Sequence, residues 1–146
     1  MNTEPKPKIN RKIFLEHVDE YIRDFFNELF TLVSENNMPL HWGSTGFSLN
    51  VDLSGNHVNI LYGYSNIAVG GQSIYTAVPV IIKKVNNAEE VIEEYFKKLD
   101  NTGVFEPAGN EMKWVINKPI SDEIIKSIFD TILFVKGKIE AEGPLE

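Results

Sequence analysis

The chain has 146 residues, 42% of them hydrophobic, which is one domain's worth of sequence with enough apolar material to close a core without metal or disulfide. It contains no cysteine, which removes thiol nucleophiles, cysteine zinc sites, iron–sulfur clusters and disulfides, and suits a reducing compartment. A net charge of −7 argues against a nucleic-acid partner. No apolar run approaches the roughly 20 residues of a membrane span, so a cytoplasmic protein without membrane contact is expected.

Residues 1–9, with two prolines and mixed charge, have no periodicity and read as a flexible tail. From Asn10, a candidate N-cap, to about Asn37 the apolar residues Phe14, Val18, Ile22, Phe25, Phe26, Leu29 and Val33 recur at helical spacing, and Pro39 enforces a stop. Tyr21 and Leu32 widen this stripe, which suits packing against more than one surface. Strict alternation then marks two strands, Phe47 to Leu53 and Val58 to Tyr64. A type II′ turn at Gly55-Asn56 predicts that Leu53 faces Val58, Val51 faces Ile60, Leu49 faces Tyr62 and Phe47 faces Tyr64, all in the core.

Residues 65–72 form a Gly-containing loop, read as an ordinary surface loop or, alternatively, as a flap or anion-binding nest. Residues 73–85 fit either a helix or a strand; Pro79 and the β-branched content favour an edge strand. A helix over 88–101 follows, with Asn87 and Glu90 spaced as a capping box and Gly103 placed to end it. Glu93 to Lys97 and Glu94 to Lys98 are i,i+4 pairs on its solvated face. A second hairpin turns at Pro107 to Asn110, which sets Glu106 opposite Glu111. The last helix starts at Ser121 as N-cap, with Asp122 and Glu123 in its first turn, and stops near Gly137. Residues 138–146 read as a second tail, leaving 10–137 as a single domain.

The fold class that follows is α+β: an antiparallel sheet of four to five strands with three helices, in the order α-β-β-(β)-α-β-β-α. This order, with the length and acidity, resembles the class I secretion chaperones. The resemblance is one of architecture, and it implies a small acidic dimer that binds protein clients.

No phosphate loop, dinucleotide fingerprint, HExxH motif or serine elbow is present, so no cofactor is called for. The run His41-Trp42-Gly43-Ser44-Thr45-Gly46 combines an imidazole, an indole, hydroxyls and glycines. Its composition makes His41, Trp42, Ser44 and Thr45 candidate ligand-binding residues, or else a plain connection with Trp42 closing the core. His17, His41 and His57 are expected to stand apart, on a helix flank, before the hairpin and at its turn, so no metal site is expected. Glu111-Met112-Lys113 has the E-x-K form that resembles nucleases of the PD-(D/E)XK type, whose preceding aspartate has no match here. The leading reading is a non-enzymatic protein-interaction or ligand-binding module, dimeric through apolar helix surface. The alternative is a small metal-dependent hydrolase or nuclease using Asp52, Glu111 and Lys113.

Overall fold

A computed structural model of the chain describes residues 6–145. The fold is α+β, with a six-stranded antiparallel sheet and five helices. Of the expected first tail, residues 1–5 lie outside the described residues, and Ile9 already packs against the core, its N–H donating to the Gly43 carbonyl.

The first helical stretch is two helices, α1 (Arg11–Glu16) and α2 (Glu20–Glu35). Asn10 caps α1 as expected, its side chain accepting from the Ile13 N–H at 2.9 Å. The break follows from the polar groups around Asp19. Arg23 donates to the Leu15 and Val18 carbonyls left open at the end of α1, and Gln72 donates to the Asp19 carboxylate while accepting from its N–H. On α2 the expected stripe is buried at Ile22, Phe25, Phe26, Leu29 and Val33, and Phe30, outside that stripe, is buried with it.

The strands are β1 (Leu40–Trp42), β2 (Gly46–Leu53), β3 (Asn56–Tyr64), β4 (Ser73–Thr76), β5 (Glu106–Ala108) and β6 (Glu111–Val115), in the spatial order β1-β2-β3-β4-β6-β5. The β2–β3 register differs from expectation. The two-residue turn is Ser54-Gly55, both at positive φ as a type I′ turn requires, so Val51 faces Val58. Beyond Asn50 and Asn59 the register shifts, because Ile60 is an extra residue in β3 and Leu49 faces Leu61. Ile60 and Leu61 are therefore both fully buried, and the alternation reverses after them: Tyr62 and Tyr64, expected in the core, point to the other face. The Ile60 carbonyl accepts from the Ala77 N–H at 3.0 Å and from the buried Tyr95 hydroxyl at 2.8 Å.

Residues 73–85 are neither one strand nor one helix. β4 lies inside the sheet between β3 and β6 rather than at its edge, and α3 (Pro79–Lys84) follows at once. Pro79 is tolerated because it occupies the first turn of α3, where a missing N–H costs nothing. In α4 (Ala88–Asp100), Asn87 makes no capping hydrogen bond; its φ is +53° and its side chain donates to Glu142 instead. The β5–β6 turn is the two residues Gly109-Asn110, so Glu106 faces Lys113 and the expected clash with Glu111 does not arise. Ser121 caps α5 (Asp122–Glu142) as expected, but α5 runs through Gly137. The expected second tail is thus largely helical, and Leu145 N–H donates to the Lys84 carbonyl.

The core lies on one face of the sheet, formed by Phe47, Leu49, Val51, Leu61, Ile74 and Trp114 against α2 and α5. Phe25 on α2 stacks on Phe129 of α5 at 5.5 Å and meets Trp114 edge-on at 5.3 Å. On the helical side α4 packs along α5, and Lys98 lies over the Phe134 ring at 4.4 Å. Among the described residues of α1, α2, α4 and α5, Tyr21 is the sole large hydrophobic that is exposed.

Tyr95 supplies a test of this packing. Burial, reinforced by the charge of Glu111, pushes its hydroxyl well above the ordinary value of 10.0. A raised folded-state pKa gives stability that is complete below the unfolded value and lost as pH climbs past it. Urea denaturation should therefore show wild-type stability falling above about pH 10, with Tyr95→Phe less stable by about 1 kcal/mol at pH 7 and flatter in that alkaline range. Parallel pH profiles for the two proteins would contradict the assignment.

Candidate functional site

Because Ile60 reverses the alternation, the outer face of the sheet carries the polar and aromatic residues of the middle strands. Tyr62, Tyr64 and Tyr75 lie there half-buried, with Tyr62 directly opposite Tyr75. The Tyr62 and Tyr64 rings are 6.4 Å apart, and Tyr64 meets Tyr75 edge-on at 5.9 Å. The Tyr62 hydroxyl accepts from the Asn59 side chain at 3.2 Å. Burial, then the neighbouring Tyr62 and Tyr75, push the Tyr64 hydroxyl above its ordinary range, so it stays protonated, able to donate and accept, throughout the physiological range.

Two concavities flank this row and share Tyr62 and Tyr64. One, of 310 Å³, is bounded by His41, Trp42, Thr45, Gly46 and Ser48; the other, of 390 Å³, by Gly70, Gly71, Tyr75, Thr76 and Glu111. Glycines shape the first of them. A Cβ at Gly46 would collide with the Gly63 carbonyl, and one at Gly63 would run into the Phe47 ring, so no larger residue fits at either position. The loop 65–72 beside the second concavity is fastened rather than free. The Asn66 N–H donates to the His17 carbonyl, and the Gln72 amide donates to Asp19, Tyr21 and the Ile116 carbonyl.

The candidate ligand-binding run 41–46 is split by the structure. Leu40 to Trp42 form an edge strand, which the sequence reading took for loop, so His41 and Trp42 point to opposite faces. Trp42 closes the core against Phe14, Phe30 and Phe47. His41, Thr45 and an edge of Trp42 border the first concavity, whereas Ser44, in the turn, borders neither concavity.

Asp52, Glu111 and Lys113 do not converge. β3 and β4 separate Asp52 on β2 from the other two on β6, about 14 Å for three interstrand spacings. The Asp52 carboxylate accepts from the Gly55 N–H at 3.0 Å and so braces the turn. Lys113 pairs at 4.0 Å with Glu106, an exposed contact of little energetic consequence. Glu111 accepts from the Thr76 hydroxyl at 2.6 Å and from the Val78 N–H at 3.1 Å, which ties β6 to the start of α3. Among the described residues no three His, Asp or Glu side chains gather closely enough to hold a metal ion.

Two histidines do meet, contrary to expectation. Moving the turn to Ser54-Gly55 places His57 inside β3, opposite Asp52 on the outer face, and its Nδ1 lies 2.7 Å from His41 Nε2. No spacing in the sequence signals this pair, because it depends on how β1 and β3 both pair with β2.

Glu111 gives the clearest test of what this face is built for. Glu111→Ala strands the Val78 N–H and leaves the hydroxyl of buried Thr76 only the longer 3.4 Å contact with the Met112 carbonyl, so urea denaturation should show a loss of about 1–3 kcal/mol. Glu111→Gln, which keeps a carbonyl oxygen, should lose less. An alanine variant as stable as wild type would remove Glu111 from this structural role.

Comparison with known proteins returns no matching family model, no matching curated protein and no matching solved structure.

Proposed function

We propose that the chain is a non-enzymatic protein-interaction module that receives a segment of its partner across the outer face of the sheet. The observation that carries this reading is the row of Tyr62, Tyr64 and Tyr75, half-buried side by side with a concavity on either flank. Tyrosine offers a large stiff apolar surface and a terminal hydroxyl at low conformational cost, which is why it concentrates at the centres of protein contacts. His41, Ser48, Asn59 and Lys113 supply a polar surround on the same face. The adjacency of the three tyrosines and the two concavities beside them lead the reading to place the partner on the sheet, ahead of the half-buried apolar residues of α5 and the exposed Ile82 of α3.

The hydrolase or nuclease alternative needs reactive groups converging on one point. Its three residues are instead three strands apart or already engaged. The net charge of −7 also weighs against a nucleic-acid partner. No described helix is long and apolar enough to cross a membrane, and the cysteine-free sequence favours a reducing compartment, which we take to be the cytoplasm.

Selection of peptides from a display library against the full chain tests the reading. Selected peptides should lose about tenfold or more in affinity against the Tyr62→Ser/Tyr64→Ser double variant, and should bind Ile82→Ser, altered outside this face, as they bind wild type. Circular dichroism would verify that both variants fold. Peptides indifferent to the tyrosines, or failure to select any peptide, would overturn the proposal.

A further inference from the structure

The outer face holds a second feature beside the tyrosine row, which shares His41 with its surround but does not rest on the reading built there. His41 Nε2 and His57 Nδ1 lie 2.7 Å apart, their ring centroids 4.9 Å apart at 74°, and both residues are exposed. They come from different strands, β1 and β3, so each ring is carried on hydrogen-bonded backbone rather than on a loop. Ser48 lies opposite His41 and Asp52 opposite His57, and neither Lys nor Arg stands at either position.

We propose that His41 and His57 form a two-nitrogen site for a divalent first-row transition-metal ion of the copper or nickel class. Imidazole nitrogens bind such ions through their ring lone pairs, and affinity along the first row peaks at copper. Two nitrogens, each about 2.0–2.1 Å from one ion, stand about 2.9 Å apart when they subtend a right angle. The observed 2.7 Å is close to that separation, and the 4.9 Å between ring centroids sets the rings end-on to one another. Each ring therefore turns about its side-chain torsions to aim its lone pair at an ion beside the line that joins them.

In the hydrogen-bonded pair one ring carries the bridging proton and the other accepts it. Binding moves that proton to the far nitrogen of its own ring through solvent, so the ion takes both lone pairs and no net proton leaves a neutral pair. With no third protein ligand close by, water fills the remaining positions. The net charge of −7 favours a cation throughout.

Titration of the untagged full chain with Cu2+ alone, followed by calorimetry and electron paramagnetic resonance, tests the site. The expected result is one Cu2+ per chain with two equatorial nitrogens. His41→Ala and His57→Ala should each bind about 100-fold more weakly and leave one nitrogen, since each removes one arm of a chelating pair. His17→Ala, which alters the remaining histidine, should match wild type. These substitutions fall on exposed side chains, and thermal melts would establish that the fold is kept. Binding that survives either His41→Ala or His57→Ala at wild-type strength, or a wild-type spectrum without two nitrogens, would overturn the proposal, as would tighter binding of Zn2+ than of Cu2+.

Discussion

The carbonyl of Ile60 receives two hydrogen bonds, one from the Tyr95 hydroxyl in the core and one from the Ala77 N–H. A bulge costs a strand part of its ladder, and a buried backbone group left without a partner would make it untenable. Here the Ala77 N–H and the Tyr95 hydroxyl together answer that need, and Tyr95 in doing so fastens α4 to the sheet. Everything on the outer face follows. Leu61 replaces Tyr62 against Leu49, Gly63 makes room for Phe47, and the tyrosines emerge beside His41 and Ser48.

A second polar node does comparable work at the opposite end of β4. Gln72, nearly buried, links the start of α2, the loop 65–72 and the end of β6 through its side-chain amide. The pair Thr76–Glu111 then joins β4 and β6 to α3. Both ends of this short interior strand are thus held by side chains as well as by its ladder. That is how four residues serve as the centre of a six-stranded sheet.

Much of the fold was legible from periodicity and caps alone. The buried stripe of α2, the inward set Phe47, Leu49, Val51 and Leu53, and the capping residues Asn10 and Ser121 stand where the spacing put them. What periodicity could not show was any feature decided by a distant residue. The bulge depends on Tyr95, 35 positions from Ile60 along the chain. Pro79 argued against a helix only because the reading placed it in an interior, whereas the strand before it ends early enough to leave it in a first turn. Gly55-Asn56 and Ser54-Gly55 are both plausible turns locally, and the choice between them moved His57 from a turn into a strand. The candidate site was accordingly the least legible part. Of the residues chosen for ligand binding, His41, Trp42 and Thr45 border a concavity, but Tyr62 and Tyr64 were assigned to the core and the histidine pair was not foreseen.

The reversal at Ile60 also bears on how this surface could change over generations. Phe47 to Leu53 would present the same inward set with or without the extra residue in β3, so the two strands do not demand one another's exact length. Loss of the Ile60 codon would leave Leu61 directly after Asn59, still inward opposite Leu49, with Tyr62 and Tyr64 still outward. The aromatic surface therefore survives removal of the extra residue. What the sheet would lose is the kink, together with the carbonyl through which Tyr95 anchors α4.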